Sequence, residues 1–139
     1  MASHRARKAG RPKDDNALLR ETLLDAALAS FAANGVAATS ARSIAADAGV
    51  NAALLSYYFG SKADVVDAVF EERVSPVLAG FFQQLLSNKG DVHAFAAAFV
   101  AGISQIIAAH PWYPSLWVRE VLCDGGAFRE VFVARTAEV

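Results

Sequence analysis

Residues 39–62 carry the side chains best suited to chemistry, and that chemistry is hydrogen bonding in a nucleic-acid groove. Ile44, Ala45, Ala48, Gly49, Val50 and Leu55 form one pattern: apolar side chains fasten two short helices together, small Ala45 permits close approach, and Gly49 supplies the turn. This is the spacing of a helix-turn-helix. On the second helix Leu55 and Phe59 are four apart and share an inward face, which leaves Ala52, Ala53, Ser56 and Tyr57 outward. A face of such small residues fits a major groove about 12 Å wide, and the hydroxyls of Ser56, Tyr57 and Tyr58 can reach phosphates or base edges. Arg42 and Lys62 bracket the groove as phosphate contacts, and helix N-termini at Thr39-Ser40 and Ser61-Lys62 add backbone N–H donors. The competing reading makes the tyrosines and Phe59 a core cluster and Lys62 an ordinary solvated helix end. One helix cannot bury Leu55, Phe59, Tyr57 and Tyr58 together, since they would cover nearly its whole circumference, so at least one tyrosine is expected at the surface.

Helices must position these residues, and the composition favours them. The 139 residues are 55% hydrophobic, 10% aromatic and 19% charged, which fits one compact domain or two small ones sharing a core. Four prolines, abundant Ala and Leu and few β-branched runs predict an all-α fold. A first helix is expected from a cap at Asp15 or Asn16 to Asn34-Gly35, with Leu19, Leu23, Ala27 and Phe31 near helical spacing. Thr39 or Ser40 caps the second and Asn51 the third, while Ser61 with Asp64 three residues on is a capping box for the fourth. That fourth pattern runs to Ser75, and Pro76 predicts a kink or restart. Asp91 can cap a long apolar helix closed by His110-Pro111, and two amphipathic helices divided at Asp124-Gly125-Gly126 complete the chain. The apolar run 94–109 falls short of the roughly 20 residues that span a bilayer and carries Ser104 and Gln105, so a buried helix is expected and no membrane contact.

Thirteen Lys and Arg against fourteen Asp and Glu give a formal net charge of -1, so a nucleic-acid partner must be held by local clusters. One such cluster is N-terminal: Arg5, Arg7, Lys8, Arg11 and Lys13 occur without an acidic residue, and Gly10 and Pro12 discourage a helix. Residues 1–14 therefore read as a flexible basic arm that follows a DNA backbone or enters a minor groove, or else as a plain solvated tail. No apolar stretch follows these charges, as a signal peptide or anchor would require. A single cysteine, Cys123, excludes an intramolecular disulfide and fits a reducing cytoplasm. Catalysis would have to start from His93, His110 and Cys123, with Asp124 or Glu120 beside them. The two histidines bracket a helix of about 25 Å, too far apart to share a metal within one chain. No Gly-rich phosphate loop or nucleophile elbow occurs, so no enzyme activity, metal or cofactor is expected. A helical module that binds protein through the arm and tyrosines is the remaining alternative, and weak salt dependence would distinguish it.

Taken in order, Phe31 before Gly35, Thr39-Ser40, Ile44-Ala45, Ala48-Gly49-Val50, Tyr57-Tyr58-Phe59 and Ser61-Lys62 closely resemble the DNA-binding domain of the TetR family of bacterial transcriptional regulators, over roughly residues 18–74. The resemblance implies a TetR-like fold: a helix-turn-helix domain over residues 15–62 and a helical ligand-binding and dimerisation domain over residues 63–139. The DNA-facing set it implies is Thr39, Ser40, Arg42, Asn51, Ala52, Ala53, Ser56, Tyr57, Tyr58 and Lys62, the last as the phosphate-binding lysine. Leu54 stands where the family often has threonine, and Ser56 where many members have an aromatic residue, so base preference does not carry over. Members usually continue for another few tens of residues and dimerise through two late helices; the chain stops at Val139 within a helical pattern, so the regulatory domain is expected to be truncated. The partners implied are double-stranded DNA with a palindromic operator, a second copy of the full-length chain, and a small-molecule effector that releases a repressor. Phe81, Phe82, Phe95, Phe99, Trp112, Tyr113, Trp117 and Cys123 are candidate effector-binding residues, each of which could equally be ordinary core.

Overall fold

The computed structural model describes residues 13–123 and 125–136, and the regular elements among them are all helical. Of the basic arm, Arg5, Arg7, Lys8 and Arg11 lie outside the described residues. Helix α1 (Lys13–Asn34) starts two residues before the expected cap and buries Leu23, Leu24, Ala27, Leu28 and Phe31 along one face. Against that stripe pack α2 (Ala41–Asp47), α3 (Ala52–Phe59) and α4 (Lys62–Val69), which contribute Ile44, Leu55, Val65 and Val69 to the same core. Each of these large side chains stabilises the fold by about 1.5–3 kcal/mol through burial alone.

The break expected at Pro76 takes a milder form. A π turn, π1 (Phe70–Val74), follows α4 directly, and the Ser75 N–H donates to the Phe70 carbonyl, five residues back. Helix α5 (Ser75–Leu86) then carries Pro76 in its first turn, where a missing N–H leaves no helical bond unmade. Arg20 on α1 pairs with both carboxylate oxygens of Glu72, and Arg73 Nε donates to Asp25 at 2.8 Å, so π1 is tied to α1 from two sides. The Arg20 guanidinium also lies over the Phe59 ring, 4.9 Å from its centre. The bond from Arg20 holds the Glu72 carboxyl below its usual range, outweighing the opposite effect of partial burial.

Asp91 caps α6 (Val92–Ala109), accepting from the His93 and Ala94 N–H groups at 2.9 and 3.1 Å. Helix α7 (Tyr113–Trp117) runs into a second π turn, π2 (Val118–Leu122), and α8 (Arg129–Thr136) ends the described chain. Helix α6 packs on α5 and α7 and is buried only at Gly102 and Ile106, while Val92, Val100 and Ile107 are exposed. The expectation of a buried helix is corrected here: among the described residues protein covers one side of α6 only. By length and composition it is apolar enough to cross a membrane.

Candidate nucleic-acid interface and apolar cavity

The geometry around α3 follows from three local devices. Ser40 caps α2, accepting from the Ser43 N–H at 3.0 Å while Ser43 Oγ accepts from the Ser40 N–H. Gly49 turns the chain with φ of 71°, a left-handed conformation that a side chain disfavours, and the Val50 N–H closes the turn onto the Ala45 carbonyl at 2.9 Å. Asn51 then caps α3 by accepting from the Ala53 N–H at 2.9 Å. With Leu55 driven into the core, Ala53, Ser56 and Tyr57 emerge on the opposite side, and Tyr57 is 79% exposed. Ala52 is half-buried at the edge of this face. Arg42 is exposed on α2, and Lys62 is half-buried at the start of α4.

Two of the expected DNA-facing residues are placed differently. Thr39 is buried, and its hydroxyl donates to the Gly35 carbonyl at 2.8 Å; the cap belongs to Ser40. In this structure Thr39 is an internal brace, since turning its hydroxyl outward would leave that buried carbonyl unpaired. Tyr58 is half-buried against the core and its hydroxyl donates to Asn16 Oδ1 at 3.3 Å, so it reaches back to α1, while its ring meets Tyr57 edge-on with 5.2 Å between centres. Tyr57 remains the tyrosine that stands clear. At the α4 N-terminus, Asp64 Oδ2 accepts from the Ser61 N–H at 2.7 Å, and bonds from Ser61 hold the Asp64 carboxyl below its usual range. The first-turn N–H groups of Lys62 and Ala63 are the donors that this capping box leaves for an anion.

The second site is a cavity of about 410 Å³ between α5, α6, α7 and α8. Leu78, Phe81, Phe82 and Leu85 line it from α5, Phe99, Ile103, Ile106 and Ile107 from α6, Tyr113, Pro114, Trp117 and Val118 from α7 and π2, and Phe132 from α8. Among the described residues no charged side chain lies on this wall. Burial pushes the Tyr113 phenol far above its usual range, so it stays neutral, and its ring stacks on Trp117 with 5.4 Å between centres. Of the eight residues expected there, Phe81, Phe82, Phe99, Tyr113 and Trp117 line the cavity. Phe95 lies instead beside the turn that precedes α6, Trp112 packs against His110 and Tyr113, and Cys123 is exposed at the end of π2. The structure does not bring these three to the cavity wall. His93 and His110 stand at opposite ends of α6, and among the described residues no three metal-ligating side chains come together.

Glu120 escaped the sequence reading except as a partner for catalysis. It is 5% exposed, and its two carboxylate oxygens accept from the Val36 N–H at 2.8 Å and the Ala127 N–H at 2.9 Å. Nothing in a local pattern announces a bond to a residue 84 positions away.

A small-residue face on a capped helix pair, carried by an all-helical body, is the arrangement of a helix-turn-helix. Residues 23–69 match the family described as bacterial regulatory proteins, tetR family. Over those residues the chain is similar to the helix-turn-helix segment of that family. Among solved structures it is similar to the HlyIIR mutant protein in which a segment is substituted by a linker containing two thrombin sites. That likeness has 23% sequence identity and a TM-score of 0.63, and covers 88% of this chain and 67% of the other, which establishes the shared fold. The chain matches no curated protein sequence.

Proposed function

We propose that the protein is a cytoplasmic repressor that binds a palindromic operator as a homodimer and leaves it when a small apolar effector enters the cavity. The observation that carries this reading is the outward face of α3, where Ala53, Ser56 and Tyr57 stand exposed while Leu55 anchors the helix from behind. In this reading Ser56 and Tyr57 contact base edges, with Ala52 and Ala53 allowing close approach. Ser40, Arg42, Asn51 and Lys62 hold the phosphates on either side, and Tyr58 supports Tyr57 from the α1 side. The basic arm of residues 1–14 adds sequence-independent attraction to the backbone. Residues 15–62 form the DNA-binding head and residues 63–139 the helical regulatory domain. Two heads must present their α3 helices about 34–36 Å apart to meet successive major grooves.

The cavity supports the regulatory half of the reading. Its volume of about 410 Å³ falls within the usual range for small-molecule sites, and its wall offers aromatic and aliphatic contact without a charged group. A ligand matched to it is neutral and largely apolar, since a charge there would lose its hydration without a partner. Selection of bound duplexes from a random pool, followed by footprinting, tests the DNA half. The expected product is a two-fold symmetric site whose half-sites are one helical turn apart; enrichment of no sequence would refute specific recognition.

A further inference from the structure

Glu120 ties the α1–α2 connection, 84 residues away, to the turn that follows π2. Its side chain accepts from Val36 in the α1–α2 connection and from Ala127 before α8, and its backbone carbonyl accepts from the Phe128 N–H at 3.1 Å. Gly126 makes this convergence possible, because a Cβ there would come within 2.3 Å of the Glu120 carbonyl oxygen. Beside it, Arg119 Nη1 donates to the Ala33 carbonyl at 3.0 Å, so consecutive residues of π2 hold both the end of α1 and the start of the following connection. The wall of the cavity is continuous with this grip: Trp117 and Val118 line the cavity and immediately precede Arg119 and Glu120.

We infer that Glu120 is a positioning residue that couples occupancy of the cavity to the DNA-binding head, with Arg119 as its surface companion. A ligand that wedges α7 away from α5 and α6 carries π2 with it, and the Glu120 carboxylate then draws on or releases the Val36 N–H. The head is sensitive at that point, because the Val36 carbonyl accepts from the Thr39 N–H at 3.2 Å and Thr39 leads directly into the α2 cap. Removing the carboxylate therefore separates the two halves functionally without touching either site. This rests on the effector reading of the cavity.

The test uses N-phenyl-1-naphthylamine, a neutral dye whose fluorescence reports transfer into an apolar site, with amide hydrogen exchange read at Val36. In the wild-type chain, saturable dye binding should change Val36 exchange by about tenfold, in line with ordinary coupling strengths. In Glu120→Gln the Val36 and Ala127 N–H groups must share the one acceptor oxygen that remains, so Val36 should already exchange faster than in the wild type and dye should add less than about twofold while binding as tightly as before. Arg119→Ala, a change at an exposed side chain, keeps the test available if Glu120→Gln does not fold, and should reduce the dye response in part. Saturable dye binding with unchanged Val36 exchange in the wild type would overturn the coupling and leave the cavity reading standing. An equal dye response in wild type and both variants would overturn the role of Glu120. Absence of saturable binding would defeat the cavity reading itself, and the inference with it.

Discussion

Replacing Thr39 with valine removes one hydroxyl from a buried site while nearly preserving its shape. In the folded protein that hydroxyl donates to the Gly35 carbonyl at 2.8 Å, with the Ser30 carbonyl a further 3.4 Å contact. Losing the bond and leaving a buried carbonyl without its partner costs about 1–3 kcal/mol together. For a domain of this size such a loss lowers the melting temperature by roughly 4–10 °C. Circular dichroism melts of wild type, Thr39→Val and Thr39→Ser read that shift, and the serine variant, which retains the hydroxyl, should recover most of it. DNA affinity measured well below the melting transition should stay within about twofold of wild type, because no DNA-facing atom has changed. An unchanged melting temperature with an affinity loss of about tenfold would show that the hydroxyl faces the groove, and would refute the assignment of Thr39 as an internal brace.

Other perturbations separate backbone contacts from base contacts. Lys62→Ala should weaken binding to all duplexes alike and lower the slope of log K against log salt by about 0.9 per chain, which amounts to about 3.5-fold between 50 and 200 mM salt. Isothermal titrations at several salt concentrations check this, and a sequence-dependent loss would contradict it. Tyr57→Ala should instead lower affinity for the selected operator by about 1–3 kcal/mol at the contacted base pair and relax preference there, as a binding-site selection with the variant would reveal. Acidification should loosen the joint between α1 and π1. The Glu72 carboxyl is depressed in the folded state, so its contribution is present above the ordinary carboxylate range and is lost as pH falls through the lower folded value. Melting curves from neutral pH into the acid range should show Glu72→Gln already lacking part of the acid-sensitive stability; an acid limb identical to wild type would contradict the Arg20–Glu72 assignment.

Much of the head was legible because its rules are local. Caps at Asn51 and Ser61, the turn at Gly49 and the inward Leu55 each follow from residues within one helical turn, and all four recur in the structure. The choice between Thr39 and Ser40 was not local, since either hydroxyl can cap α2; the Gly35 carbonyl, placed by the end of α1, claimed Thr39. Tyr58 was ambiguous for a similar reason, because its orientation depends on Asn16, 42 residues earlier. Pro76 pointed to an irregularity but not to its form, a π turn that ends just before it and whose Phe70 ring lies 5.5 Å from that of Phe128. Aromatic composition marked five cavity residues and missed the aliphatic wall of Ile103, Ile106 and Ile107, which periodicity on α6 could have supplied. Glu120 had no sequence signal at all beyond a carboxylate in an amphipathic stretch.

Recognition through α3 is tested most directly by fluorescence anisotropy. A labelled duplex from upstream of the protein's own gene is titrated beside a shuffled duplex of equal length, at low and at near-physiological salt. Affinity for both should fall with salt while preference for the upstream duplex persists, and Tyr57→Ala should erase that preference. Equal affinity for the two duplexes at both salt concentrations, unchanged in Tyr57→Ala, would contradict recognition through α3.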